Sequence, residues 1–369
     1  MKLLRLATTL NSTSAPYNQF SLGFKHSIDQ TYCSLLKNDI SIEDSIDSFH
    51  GDGSVLKMIK LVRNLIKQNN FDVVHIHSGV AGVILLIALM PFKISILKKT
   101  VFTLHNSWNV IKLRNQILNF IVMLFVRKIC TCGNSSKDSI PRLINLFIEK
   151  KTISIVNGFD NERIDKIENS KDIDRHFSDD SLIKIVCVGA LNNTKNQIAL
   201  LQALKKITAS CEIVFLGDGS KKEDLINFSQ QLNANLNIFF KGRVSRKLTI
   251  EHMLEADISI SLSNGEGLPI AVLESMYAGC FLILSKIPPH IEIDPPSVRC
   301  IFVDASTKLE IVNALNLAID NIDSIRSERS ISKEYSIKNF GLKNMLREYM
   351  NIYTFLLKIS RITKYTEHR

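Results

Sequence analysis

The stretch Ile258-Ser259-Ile260-Ser261-Leu262-Ser263-Asn264-Gly265-Glu266-Gly267-Leu268-Pro269-Ile270-Ala271-Val272-Leu273-Glu274-Ser275-Met276-Tyr277-Ala278-Gly279 passes from a strand, through a glycine-bearing loop, into a helix. The short apolar run Ile258–Leu262 ends in Ser-Asn-Gly, which reads as a strand and its stop. Pro269 fits the first helical turn and Gly279 the helix end. Glu266 therefore falls in the strand-to-helix loop, and Glu274 a little over one turn into the helix.

The same alternation extends in both directions. Ile183–Val188, Glu212–Leu216, Leu236–Phe240, Phe281–Ser285 and Cys300–Val303 read as further strands of the second half, separated by amphipathic helices such as the one carrying Leu225, Phe228 and Leu232. The first half offers Leu3–Leu10, Val73–His77, Thr100–His105, Lys128–Cys132 and Thr152–Val156. Strands alternating with helices specify parallel α/β sheets, here two doubly wound, Rossmann-like domains. Asn161 to Asp180 is polar, without strand or helix period, and reads as the connector. The expected division is residues 1–156, 157–341 and a C-terminal amphipathic helix with a basic tail over 342–369.

A chain of 369 residues suits two cores better than one. Seven cysteines lie mostly in apolar strand-like runs, Cys130 and Cys132 on one strand face, and imply small core side chains in a reducing, cytoplasmic setting. The N-terminal apolar run reaches Asn11-Ser12-Thr13 before a signal-peptide core forms, so export is not expected. The longest uncharged stretch, Ser78–Phe92, has 15 residues, short of the roughly 20 that cross a bilayer.

The net charge of +10 is unevenly placed. Residues 1–155 hold 19 Lys and Arg against 9 Asp and Glu, and the remainder holds 27 of each. Within 80–151, Lys98, Lys99, Lys112, Arg114, Arg127 and Lys128 lie beside apolar segments such as Ile117–Val126. This pattern suits an anionic membrane surface or, equally, the solvated ends of buried helices. No nucleic-acid motif or stacking platform accompanies the charge.

In open parallel sheets, ligands bind beyond the carboxyl ends of the strands. Val188-Gly189 leads into Asn192-Asn193-Thr194-Lys195, a lysine near a helix start that suits a phosphate. Gly217-Asp218-Gly219 lets backbone approach a flat ligand. Two glutamates at 266 and 274 suit the diols of two sugars, with N–H groups near Ile270 and Ala271 facing a diphosphate. His75 and His77 share a strand face without an evident third metal ligand, so a structural role is expected. No dinucleotide fingerprint or P-loop occurs.

On these residues the chain resembles glycosyltransferase family 4, whose hallmark is the E-x7-E segment seen here from Glu266. The similarity extends to Val188-Gly189 with Lys195, Gly217-Asp218-Gly219, Gly242-Arg243-Val244, Asn157-Gly158-Phe159-Asp160 and Phe102-Thr103-Leu104-His105. It implies the glycosyltransferase B fold: two domains facing across a cleft, with the C-terminal helix returning to the first. It also implies a retaining enzyme with no metal or other cofactor, using a nucleoside-diphosphate sugar, a UDP-sugar favoured. Glu266, His105 and Lys195 would be catalytic. Glu274, Gly267, Leu268, Pro269, Ile270, Ala271, Gly189, Gly217, Asp218, Gly219, Arg243 and Val244 would bind donor and nucleotide. His105 would reach the sugar from the first domain, or serve only as a strand-end hydrogen-bonding group.

Two positions depart from the family pattern. Ala190 and Leu191 stand where many members carry a second diphosphate-binding arginine, and Asn11–Asn18 replaces a glycine pair after the first strand. The expected acceptor is a saccharide on a polyprenyl diphosphate, as in O-antigen, capsule or exopolysaccharide assembly. That places the protein peripherally at the inner membrane face. The alternatives are a hydrolase using Glu266 and Glu274 as an acid–base pair, and a catalytically weak or inactive membrane-associated binding partner. Asp172-Ile173-Asp174 mimics a metal motif of another transferase fold but falls in the connector.

Overall fold

A computed structural model describes residues 1–10, 14, 16–37, 46–90, 93–170 and 182–367. Asn11–Thr13, Ala15 and Asp172-Ile173-Asp174 lie outside them. The chain forms two units, Met1–Asn157 with Leu342–Arg369, and Gly158–Gly341.

The first unit is built on seven parallel strands: β1 (Lys2–Ala7), β2 (Asp29–Ser34), β3 (Asp47–His50), β4 (Val73–Ile76), β5 (Thr100–Leu104), β6 (Lys128–Thr131) and β7 (Thr152–Ser154). Their order is β3-β2-β1-β4-β5-β6-β7. The second unit has six parallel strands: β8 (Ile183–Val188), β9 (Cys211–Leu216), β10 (Leu236–Gly242), β11 (Ile258–Ser261), β12 (Phe281–Ser285) and β13 (Cys300–Val303), ordered β10-β9-β8-β11-β12-β13. Both sheets reverse direction of growth beside their first strand, between β1 and β4 and between β8 and β11. Loops diverge at these switch points and leave a crevice.

The strands named from periodicity recur with ends displaced by a few residues, whereas β2 and β3 carry no apolar run and were not expected. In β2, Gln30 is buried because its carbonyl accepts from Arg5 Nε at 2.8 Å and its amide donates to Ser21 O at 2.9 Å. Polar residues satisfied in this way hide a buried strand from any hydropathy pattern. The expected connector is also corrected, since Asn161–Glu168 is helical. The Asp160 side chain caps it by accepting from Arg163 N at 3.1 Å, and Ile164 and Ile167 are buried beneath it.

The helix Leu342–Glu367 packs on the first unit's sheet. Met345, Tyr349, Ile352, Tyr353 and Leu356 are buried with Leu3, Val73, Val101 and Cys130. Their spacing of three and four places them on one helix face. All seven cysteines are buried and free. In the second unit, Asp257 is 4% exposed, accepts both Nε and Nη2 of Arg326 at 3.0 Å, and accepts Lys184 N. This bidentate pair ties the helix Ile322–Ser327 to the foot of β8 and β11.

Leu356 is fully buried. Leu356→Ala should lower the first unit's stability by about 2–5 kcal/mol, read as a smaller denaturation midpoint. An unchanged midpoint would mean that the C-terminal helix contributes no core.

Candidate functional site

The switch point of the second unit gathers the sequence-derived residues. Lys195 follows β8, and Glu266 follows β11. Lys195 Nζ donates to Glu266 Oε1 at 2.5 Å, and Ser263 Oγ donates to the same oxygen at 2.6 Å. The loops are pinned as well as the side chains: Asn264 N donates to Thr194 O at 2.8 Å, and Lys195 N to Asn192 Oδ1 at 3.0 Å. Glu266 is 8% exposed. A carboxylate so removed from water needs a cation, and Lys195 is that cation.

Below Glu266 runs a hydrogen-bond chain that the sequence reading did not include. Ser285 Oγ donates to Ser263 O at 2.6 Å, and His290 lies within 3.1 Å of Ser285 Oγ and 3.3 Å of Ser261 Oγ. Burial pushes His290 down to about 4, so the imidazole is neutral near pH 7. Its position just past the end of β12 was the only sequence signal for it.

Glu274 lies in the helix Ile270–Tyr277 and is 2% exposed. Its Oε1 is paired with Arg246, and its Oε2 is buried without a hydrogen-bond partner among the described residues. Burial, with Arg163 nearby, pushes Arg246 down to about 10. Arg246 was missed, although Ser245 caps its helix and Arg246 follows at the first position. A cation there opposes the helix dipole, which is the signal that a specific partner holds it.

The helix Ile270–Tyr277 starts at Pro269, which takes the cap position rather than the first turn. Its first internal bond is Val272 N to Pro269 O, so the N–H groups of Ile270 and Ala271 stay outside its ladder. Gly267 and Leu268 are buried in the preceding loop. At the far end, Gly279 has φ +87° and Cys280 N donates to Ser275 O at 3.0 Å, which closes the helix.

Gly189, Gly217 and Gly219 lie at the ends of β8 and β9, but the reason for the glycines differs from a ligand's approach. A Cβ on Gly217, at φ +145°, would stand 2.0 Å from Gly189 O. One on Gly219 would stand 2.3 Å from Leu191 O. The two loops pack backbone to backbone, and Leu191 N donates to Asp218 O at 3.1 Å. Asp218 and Arg243 are exposed and Val244 is half-buried, at the rim of the same strand ends.

His105 is on the first unit and belongs to a separate cluster. Its Nε2 lies 3.0 Å from His77 Nδ1, and its own Nδ1 is buried without a hydrogen-bond partner among the described residues. Burial lowers it to about 4. With Thr8, His77, Ser78 and Asn106 it lines a cavity of about 150 Å³ at the β1–β4 switch point. His75 and His77 are both hydrogen-bonded to Arg5.

The chain matches two family profiles in succession, "Glycosyltransferase Family 4" over residues 43–163 and "Glycosyl transferases group 1" over residues 168–336. It is 28% identical over 260 residues to the capsular polysaccharide biosynthesis glycosyltransferase CapH of Staphylococcus aureus, covering 67% of each chain. It is 25% identical over 246 residues to an Escherichia coli enzyme, UDP-Gal:alpha-D-GlcNAc-diphosphoundecaprenol alpha-1,3-galactosyltransferase, covering 63% of this chain and 62% of that one. Among solved structures, Anabaena HepE in complex with UDP and glucose superposes with a TM-score of 0.74 at 16% identity, over 96% of this chain and 99% of that one. Sucrose-phosphate synthase of Thermosynechococcus elongatus gives 0.76 at 11% identity, over 97% and 100%. With its two parallel-sheet units of glycosyltransferase B type and its E-x7-E segment at the second switch point, the chain belongs to glycosyltransferase family 4 and is a glycosyltransferase.

Proposed function

We propose that the protein moves a hexose or N-acetylhexosamine from a nucleoside-diphosphate sugar onto a lipid-linked saccharide, with retention of anomeric configuration and without a metal ion. The observation that carries this reading is the Lys195–Glu266 pair beside Glu274, whose second oxygen is buried and unpaired. Glu274 Oε2 accepts from a ribose hydroxyl, and Glu266 holds the donor sugar. Lys195 and the N–H groups of Ile270 and Ala271 take the charge that develops on the leaving diphosphate, the part a divalent cation plays elsewhere. Gly189, the Gly217–Gly219 loop and Arg243-Val244 border the base. His105 donates a hydrogen bond to a sugar oxygen.

UDP is the favoured nucleotide, supported by its presence with HepE and by the donor named for the Escherichia coli relative. That relative's acceptor is a diphosphoundecaprenol saccharide, and the first unit carries a surface suited to such a lipid. The helices Leu113–Phe125 and Arg142–Ile148 expose Leu113, Phe125, Leu143, Leu146 and Phe147 among the exposed Lys112, Arg114, Arg127, Arg142 and Lys150. Apolar side chains ringed by cations fit an anionic bilayer surface. Lys99 and Lys128 are engaged with Phe71 O and the Phe355 ring, so the contact falls to the other basic residues. No helix among the described residues is long and apolar enough to cross a membrane.

Incubation with a panel of nucleotide sugars and polyprenyl-linked acceptors tests the reading. Acceptor-dependent transfer is expected, and release of free sugar alone would replace it with hydrolysis. Lys195→Ala should lower kcat by about 10²–10³. Glu274→Ala should weaken nucleoside-diphosphate binding, measured calorimetrically, by roughly tenfold or more. An affinity equal to that of the parent chain would remove Glu274 from the ribose.

Reversing the charge of Lys112, Arg114, Arg142 and Lys150 together should abolish flotation with anionic vesicles at moderate salt. Retained flotation would discard the membrane surface.

Because burial holds His105 at about 4, the imidazole is neutral above that value and gains charge only below it. The pH profile of kcat/KM should therefore lack a histidine ionisation near the ordinary value of about 6.5. A limb near 6.5 that vanishes in His105→Gln would contradict this.

A further inference from the structure

Arg5 is fully buried in β1, and among the described residues none of its hydrogen bonds goes to a carboxylate. Its guanidinium carbon lies 5.4 Å from the Phe20 ring centroid and 5.6 Å from that of Phe24, so aromatic faces take the place of a counter-ion. Nε donates to Gln30 Oε1 at 2.8 Å. Nη1 lies 3.0 Å from His75 Nδ1, 3.3 Å from Tyr353 OH and 3.4 Å from His77 Nε2.

An arginine can only donate, which fixes the roles of its neighbours. Nη1 has two hydrogens for three neighbours and His77 Nε2 is the farthest of them, but an N–H on Nε2 would face a cation, which assigns the proton of neutral His77 to Nδ1. That N–H points at His105 Nε2, 3.0 Å away. His105 Nε2 in turn accepts, and its proton lies on Nδ1, the atom that is buried with no partner among the described residues. His75 obeys the same rule: its Nδ1 is the acceptor, shared between Tyr353 OH at 2.7 Å and Arg5 Nη1 at 3.0 Å, and its Nε2–H donates to Thr103 Oγ1 at 2.8 Å. The opposite tautomer of His77 would set an N–H against the guanidinium. Burial holds His75 and His77 well below the ordinary histidine value and His105 at about 4, so all three rings are neutral and the bookkeeping of single protons applies.

We infer that Arg5 and His77 are positioning residues that lock His105 in its Nδ1–H tautomer, so that its ring can donate a hydrogen bond toward a sugar oxygen but offers no acceptor. His105 then has no free acceptor nitrogen and cannot serve as a general base. With no acceptor among the described residues, the Nδ1–H carries a demand that a hydroxyl or ring oxygen of a sugar satisfies. This rests on the assignment of His105 to a sugar, but the tautomer itself exists in the free protein and is measurable without any transfer reaction.

The test is a long-range ¹H–¹⁵N spectrum of the full chain labelled at histidine, with His105 assigned by its disappearance in His105→Gln. The free protein should show a protonated Nδ1 and an unprotonated Nε2, the reverse of the form that free histidine prefers. An Nε2–H signal for His105 overturns the inference whether or not the protein transfers sugar. His77→Asn keeps an amide donor in place of Nδ1–H and should preserve both the tautomer and kcat within a few-fold. His77→Phe removes the donor at similar volume. It should release His105 to a mixture of forms and lower kcat by about 10- to 100-fold with donor KM little changed. A released tautomer with unchanged kcat, or an His77→Asn chain that loses the Nδ1–H form, also overturns it. The parent spectrum decides even where His77→Phe does not fold.

Discussion

A parallel strand reaches its neighbour only through a crossover that carries the chain back to the start, so every strand of a parallel sheet ends at the same edge. Both sheets of this chain are wholly parallel among the described strands. All strand-end loops of each unit are therefore neighbours. At the β8–β11 switch point this places Lys195 against Glu266, residues 71 positions apart. At the β1–β4 switch point it places Thr8 Oγ1 2.8 Å from Ser78 Oγ, and His77 and His105 side by side. The chemistry of both units follows from that one topological restriction.

The two switch points meet the cost of buried charge in opposite ways. The second unit compensates it directly, Lys195 with Glu266 and Arg246 with Glu274. The first unit keeps a buried cation, Arg5, with no acidic partner among the described residues, and spreads its charge over phenylalanine faces, neutral imidazoles and hydroxyls. Neutral groups that accept from an arginine are fixed in their proton positions. A buried arginine in such company acts as an orienting device rather than a salt-bridge partner.

Surface and core of the first unit are similarly divided. The Leu342–Glu367 helix covers the sheet with Tyr349 and Tyr353, whose hydroxyls also enter the histidine network at Thr103 and His75. The helices Leu113–Phe125 and Arg142–Ile148 leave large apolar side chains in solvent. The core of this unit thus draws on the helix Leu342–Glu367, while one group of exposed apolar side chains lies between residues 113 and 147.

By itself the sequence determined whatever was local. Strand Ile258–Ser261, its glycine loop and the following helix were legible because period, proline and glycine all act within a few residues, and Glu266 and Glu274 took their places from them. Polar Asp29–Ser34 was illegible as a strand, since its burial is paid by Arg5 and the backbone of Ser21 rather than by apolar side chains. The helix Asn161–Glu168 was hidden among charges for want of a long apolar stripe. Only the tertiary structure decided that Arg246 meets Glu274, that the glycines at 217 and 219 serve loop packing, and that Arg5 sets the proton of His105 through His77. Each joins atoms distant in sequence, and a proton's place depends on which neighbour can only donate, a fact that no spacing of residues along a chain records.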